Sequence, residues 1–261
     1  MKNLLNQIAD ERRAAVAAAR LVAPEAELRW IAARRKTRSL RAALIQPGRR
    51  VIAEIKRRSP SAGVLREPYF PAAIAQAYAA AGTAALSVLT EPLHFDGARE
   101  DLLAVRAAVD LPILRKDFIV DAYQVLEAAA WGADAVLLIA ALLDPETCGR
   151  LAVEAAALGL EAIVEIHGES ELAHIERCPD ALVGVNNRDL ATLKIDLAVA
   201  RALAVKLPND RVWIAESGLR GAADLIALEA LGYRGFLVGE AFLRADDPGA
   251  ALKAWMQGGQ S

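Results

Sequence analysis

Cysteine, histidine and aromatic residues are scarce in this 261-residue chain: two Cys, three His and 5% Phe, Trp and Tyr together. Cys148 and Cys178 carry no Cys-x-x-Cys spacing, which argues against a disulfide framework and against a structural zinc site. His94, His167 and His174 are dispersed, and their spacing gives a metal triad no support. Long apolar runs are also missing. None reaches the roughly 20 residues a membrane-spanning helix needs, and "MKNLLNQIADERR" becomes charged too soon for a secretory signal. The expectation is a soluble cytoplasmic protein without membrane contact. Charge of one sign is lacking too: 31 Lys and Arg against 33 Asp and Glu leave a formal net charge of -2. There is no basic field for nucleic acid and no acidic tail. The local exception, "RWIAARRKTRSLR" (29–41), reads as a solvated helix face and loop.

What is present is a large apolar fraction, 55%, laid out in short runs. "RVIAEIK" (50–56), "TAALSVL" (83–89), "LPILRK" (111–116), "ADAVLLIA" (133–140), "LEAIVEI" (160–166), "DALVGVN" (180–186), "RVWIAES" (211–217) and "RGFLVGE" (234–240) read as strands. Ala- and Leu-rich stretches of helical spacing separate them. Four joints repeat a pattern: "AAAGTAAL", "AAWGADAV", "AALGLEAI" and "EALGYRGF" each close a helix on Gly just before a strand begins. The repeat of roughly 27 residues suits one strand plus one helix. Runs that are continuous rather than alternating imply burial on both faces, hence a parallel sheet covered by helices. Eight such units predict a (β/α)8 barrel. A doubly wound sheet is the alternative, but it usually needs fewer strands, and no glycine-rich dinucleotide fingerprint is present. Residues 1–261 are expected to form a single domain. Residues 1–50 form an N-terminal helical extension with Leu4, Leu5, Ile8 and Val16 on its apolar face and breaks at Pro24 and "QPG" (46–48).

In a parallel barrel the carboxyl ends of the strands share one rim, and the active site lies there. Those ends carry Glu54, Lys56, Lys116, Glu165, Asn186, Glu216 and Ser217. Ile52, Glu54 and Lys56 share one side of their strand, with apolar Val51, Ala53 and Ile55 on the other. Taken singly, a strand-end lysine could be a surface residue, Glu54 and Lys56 a structural ion pair, and Glu165, Asn186 or Ser217 helix caps. Barrel closure gathers them all, and buried charges without partners cost several kcal/mol, so their convergence predicts a polar site. Gly218 in "AESGL" and Gly239 in "VGEAF" follow the last two strands, where backbone N–H groups and the next helix N-terminus suit a phosphate. "RRSPSAG" adds Ser59 and Ser61 on a loop that a plain turn would equally explain.

These segments resemble the indole-3-glycerol phosphate synthase family over nearly the whole chain. The most specific are "LRKDFI" and "NNRDL", supported by "VIAEIKRRSPSAG", "VEIHGESEL", "IAESGL" and "FLVGEAFL". The resemblance implies a carboxy-lyase of tryptophan biosynthesis that needs neither metal nor organic cofactor. It would convert 1-(2-carboxyphenylamino)-1-deoxyribulose 5-phosphate to indole-3-glycerol phosphate, carbon dioxide and water. It implies Lys116 as general acid, Glu165 as general base, Lys56 as a second ammonium, Glu54 and Glu216 as holders of the lysines and substrate hydroxyls, and Asn186 as a substrate hydrogen-bonder. Arg188 would face the anthranilate carboxylate. Phe95, Phe118, Leu137, Leu190 and Val238 would form an aryl pocket. Ser59, Ser217, Gly218, Gly239 and the main chain of Glu240 would surround the phosphate. The side chain of Glu240 departs from the family's serine and must turn away. Partners implied are a small phosphorylated substrate and, as candidates, other enzymes of the same pathway. Two rival readings from the residues stand beside it: a class I aldolase using Lys56 or Lys116 as a Schiff base, and a phosphate-binding barrel without catalysis.

Overall fold

A computed structural model describes residues 4–190 and 192–258. Its eight main strands are β1 (Val51–Ile55), β2 (Ala85–Leu89), β3 (Ile113–Lys116), β4 (Ala135–Ile139), β5 (Glu161–Ile166), β6 (Leu182–Asn186), β7 (Trp213–Glu216) and β8 (Gly235–Val238). All pair in parallel, each with its sequence neighbours, and β8 closes on β1 through Val51–Phe236, Ile52–Leu237 and Ala53–Val238. The result is the (β/α)8 barrel expected. Inward-facing Ile52, Leu114, Leu137, Ile163, Ile214 and Leu237 form one core, and outward-facing Val51, Ala53, Ile55, Val136 and Val164 pack with the helices in another. Burial on both faces is why the strands read as unbroken apolar runs. The four joint glycines, Gly82, Gly132, Gly159 and Gly232, all take positive φ, the conformation that ends a helix at least cost without a Cβ.

The extension consists of α1 (Leu4–Val22), α2 (Glu25–Ala32) and α3 (Leu40–Leu44). It embraces the barrel from both ends. Leu5 and Ile8 of α1 reach the carboxyl-end rim, beside Phe118 and Leu137. At the opposite end Leu40 and Leu44 of α3 are fully buried and pack in the same inner core as Ile52, Ala85 and Ile214. Among the described residues no helix is long and apolar enough to cross a membrane.

The basic run 29–41 is solvated only in part: Arg29, Arg34 and Lys36 are exposed as expected, whereas Arg35, Arg38 and Arg41 turn onto the amino end of the barrel, which corrects the sequence expectation there. Arg35 is nearly buried and donates to the carbonyls of Ala133 (2.9 Å), Leu158 (2.9 Å) and Gly159 (2.6 Å). Arg41 reaches the carbonyl of Asp180 at 2.7 Å, and Ser39 Oγ donates to Glu161 at 2.8 Å. These partners lie just before β4, β5 and β6, where carbonyls and acids at the amino end of the barrel need donors. Asp134 is the hub, accepting from Arg38 N (2.9 Å), Ile113 N (3.0 Å) and Arg106 Nη1 (3.0 Å). Cys148 and Cys178, distant in sequence, are both buried and free, with Sγ atoms 3.6 Å apart. Asp134→Ala would take the carboxylate away from the Arg35 and Arg106 guanidinium groups and leave two amides without their acceptor. Urea unfolding should show a loss of about 3–5 kcal/mol, the usual scale for a broken buried ion pair; a loss below about 1 kcal/mol would mean that water replaces the carboxylate.

Candidate active site

The carboxyl ends of the strands surround a cavity of about 530 Å3, and every residue the sequence nominates borders it. Strand parity explains the polar wall. Glu54, Lys116, Glu165, Asn186 and Glu216 occupy the last inward positions of β1, β3, β5, β6 and β7, so they stand above the apolar inner core as a ring. Lys116 Nζ donates to Glu165 Oε2 at 3.0 Å and lies 3.5 Å from Glu216 Oε2. Lys56, just beyond β1, is paired with Glu54. Asn186 Oδ1 accepts from the amide of Arg188 at 3.0 Å, which fixes the chain leaving β6.

Two glycines make room for two of these carboxylates. A Cβ on Gly184 of β6 would run into Glu216 Oε1. A Cβ on Gly239 would come within 2.6 Å of Glu54 Oε1. Gly239 has φ -129, so it is required by this close approach rather than by a left-handed turn. The turn after β7 is different: Ser217 (φ 63) and Gly218 (φ 78) are both left-handed. Ser217 is therefore a turn residue, not a helix cap; the following helix, Ala222–Glu229, starts after Gly221.

The charge states follow from burial and company. Burial opposes the charge on Lys116, yet Glu165, Glu216 and Glu54 together push its pKa up, so it stays an ammonium. Burial works to raise Glu165, but Lys116 and then His167 hold it well below the ordinary carboxylate range. Glu216 goes the other way: burial first, despite Lys116, and the neighbouring charge of Glu165 push it above the ordinary range. One ammonium thus serves two carboxylates, of which one is ionised and the other retains its proton.

The remaining walls divide by chemistry. Phe95 and Phe118 sit with ring centroids 6.0 Å apart, and Leu137 and Leu190 complete an apolar end with Leu5 and Ile8. Val238 touches the cavity but belongs to the outer core; Leu237 is the inward residue of β8. Arg188 crosses the mouth, its Nη1 donating to Ser61 Oγ (3.2 Å) and to the carbonyl of Leu193 (3.3 Å). At the opposite side stand Ser59, Ser217, Gly218, Gly239 and Glu240, with Arg220 and Arg244 close by. The Glu240 carboxylate is turned to Arg244 Nε at 3.1 Å, leaving its main chain toward the cavity side. The helix it opens, Glu240–Leu243, has only four residues. The helix-dipole contribution expected there is correspondingly small, and the N–H groups themselves are the available donors.

Several residues here escape a reading of the sequence. The helical spacing places Leu4, Leu5 and Ile8 only on the packing face of the extension, yet they line the cavity. Asn187 is buried, and its Nδ2 donates to the carbonyls of Glu216 (2.9 Å) and Ser217 (3.2 Å), pinning the turn after β7. His167 lies with Nε2 3.4 Å from Glu165 Oε1. Its signal is present in the sequence: it follows Glu165 by two, the same-face step that links Glu54 to Lys56.

A family model described as indole-3-glycerol phosphate synthase matches residues 5–255. The chain belongs to the indole-3-glycerol phosphate synthase family. It is 46% identical over 256 residues to the indole-3-glycerol phosphate synthase of Burkholderia vietnamiensis (strain G4 / LMG 22486), covering 97% of this chain and 98% of that protein. The counterpart from Burkholderia multivorans (strain ATCC 17616 / 249) is 45% identical over 258 residues, with the same coverage. Among solved structures, a 3-hexulose-6-phosphate synthase superposes with TM-score 0.63 at 18% identity, over 79% of this chain and 98% of that one. Thiamine phosphate pyrophosphorylase from Pyrococcus furiosus superposes with TM-score 0.60 at 16% identity, over 83% and 96%. At those identities the likeness concerns the barrel alone.

For this member of the indole-3-glycerol phosphate synthase family, the raised Glu216 has a measurable consequence. The folded state holds a proton that the unfolded chain sheds once pH exceeds the ordinary carboxylate range, so its contribution to stability falls as pH rises. His167 is raised as well and acts in the same direction nearer neutrality. Glu216→Gln mimics the neutral acid. Its melting temperature should match wild type near pH 4 and exceed it by at least about 2 °C at about pH 8. A difference constant with pH would contradict the protonated state.

Proposed function

We propose that the protein closes the indole ring of indole-3-glycerol phosphate from 1-(2-carboxyphenylamino)-1-deoxyribulose 5-phosphate, with loss of carbon dioxide and water. The observation that carries this reading is the Lys116–Glu165 pair, 3.0 Å apart, in a cavity with an apolar aromatic end and a glycine-lined opposite end. A site for a phosphate alone, or for an aryl acid alone, would not need both ends. The substrate's anthranilate ring fits between Phe95, Phe118, Leu137 and Leu190, with Arg188 facing its carboxylate. The phosphate sits against the backbone of Gly218, Gly239 and Glu240 and the hydroxyls of Ser59 and Ser217. Stretching the substrate between the two ends brings the aryl carbon toward the ribulose carbonyl under Lys116, a gain in orientation.

Lys116 stabilises negative charge on the carbonyl oxygen as the carbon–carbon bond forms, and protonates it. The carboxylate leaves as carbon dioxide and the ring regains its conjugation. An ammonium, Lys116 or Lys56, then assists departure of the hydroxyl, and Glu165 takes a proton from the carbon beside the nitrogen. Glu54 holds Lys56; Glu216 and Asn186 bind substrate hydroxyls. A Schiff base is disfavoured because the carboxylates around Lys116 keep it protonated, whereas an imine-forming lysine must be a free amine. Cytoplasmic action within tryptophan biosynthesis follows from this reading.

The test is the growth of indole fluorescence from the carboxyphenylamino substrate. Lys116→Met retains much of the lysine stem's volume and should fold, with turnover reduced roughly 100-fold or more. Glu165→Gln should slow dehydration while inorganic phosphate still competes as it does with wild type. Near-normal turnover in either variant would remove that side chain from its proposed acid or base role.

A further inference from the structure

The geometry points to His167 as the link that returns protons from solvent to the buried acid, through a chain Glu171–His167–Glu165–Lys116. This rests on the reaction proposed above. That reaction does not balance without an outside proton. The carbonyl oxygen takes one proton when the ring closes and a second when it leaves as water. The carbon beside the nitrogen gives one back. The carboxylate departs as neutral carbon dioxide, and its bonding pair returns to the ring. Each turnover therefore consumes one proton from outside the cavity.

Lys116, the proposed donor, opens only on the cavity that the substrate fills, and its ammonium is paired with Glu165, which is 1% exposed, whereas His167 and Glu171 lie outside the cavity lining with side chains 15% and 17% exposed. Behind Glu165 stands His167: Nε2 is 3.4 Å from Glu165 Oε1, and Nδ1 is 3.5 Å from Glu171 Oε2. Both ring nitrogens and Glu165 Oε1 are buried and lack a hydrogen-bonding partner among the described residues. Three adjoining buried polar atoms left unbonded are costly in a purely structural role, and a small rotation of the ring would bond either pair. Glu171 is held for the purpose, its carboxylate accepting the amide of His167 at 2.6 Å from the turn Glu169–Glu171. The charged groups facing the imidazole are Glu165, Glu171 and Lys116. The two acids outweigh burial and the lysine, so the ring protonates more readily than a free histidine. A proton passes from solvent at Glu171 to the imidazole, from Nε2 to Glu165, and from Glu165 to the Lys116 amine left by the acid step. His167 is not part of the cavity lining and acts through Glu165.

The experiment compares the first turnover, with enzyme in excess, against steady-state turnover in weakly buffered solution, using His167→Gln and Glu171→Gln in the intact chain. Lys116 holds the proton for ring closure and Lys56 the one for departure of the hydroxyl, so the first turnover should stay within about twofold of wild type while kcat falls about 10-fold or more, the lower range for a lost proton-transfer group. KM should change less than about twofold, and added imidazole should restore kcat in proportion to its concentration. Should His167→Gln fail to fold by circular dichroism, Glu171→Gln, which leaves the ring in place, must show the same split. Unchanged kcat in weak buffer would overturn the relay, as would an equal loss in both regimes without imidazole rescue. A wild-type chain that forms no indole would overturn the proposed reaction itself.

Discussion

The ion pair of Lys116 with Glu165 and Glu216 is the arrangement on which the rim depends. Placing three charges of this kind where water scarcely reaches is unfavourable unless each finds a partner. One ammonium cannot neutralise two carboxylates, so the second keeps a proton. That imbalance is also what makes the cluster chemically useful. An ionised Glu165 can accept a proton, a protonated Glu216 can donate a hydrogen bond, and Lys116 stays charged beside both. Gly184 and Gly239 belong to the same arrangement, since their missing Cβ atoms leave space for Glu216 and Glu54. The strand carrying Lys116 is in turn fixed from behind. Arg115 and Asp117 point outward on either side of it, bonded at 2.9 Å, and Asp117 also accepts from Arg12 of α1 at 3.0 Å. Arg115 is fully buried and lies 4.0 Å over the Trp131 ring.

That outward network ties the helical extension to the chemistry. On α1, Arg12 sits about one turn beyond Ile8 and two turns beyond Leu5. Ile8 and Leu5 border the cavity, and Arg12 grips the segment following Lys116. Further along the same extension, Leu40 and Leu44 seal the far end of the barrel. A single segment therefore covers the apolar end of the site, braces its central lysine and closes the core below.

Much of this is legible from local pattern. Two-residue parity along "VIAEIK" places Glu54 and Lys56 on the inner face, and the helix–Gly–strand joints set the strand count. What escapes has a common physical cause. Arg35, Arg38 and Arg41 look like a solvated run because their partners, the carbonyls and acids around residues 110–180, are distant in sequence. Arg12 looks like the polar face of an amphipathic helix for the same reason. Val238 is nominated for the wall only through the family resemblance, since no polar residue marks the parity of β8; its pairing with Ala53, an outward residue, puts it on the outer face although it still borders the cavity. His167 escapes differently, since its spacing from Glu165 is in plain view. A lone histidine on a loop says nothing until the carboxylates on either side of it are located.

The two ends of the barrel divide the conflicting demands. At the carboxyl end the inward positions hold like charges, left-handed turns at Ser217 and Gly218, and polar atoms without bonds. Each of these lowers stability, and each is where chemistry needs a preformed polar cavity. At the amino end the same chain supplies the opposite: arginines saturating strand-start carbonyls, Asp134 accepting from two amides and a guanidinium, and leucines filling the bore. Parallel strands carry this reinforcement directly, because a strand anchored at its start cannot slide or tilt at its end without breaking its ladder to both neighbours. The rim can therefore keep an imbalanced charge cluster in place with few bonds of its own.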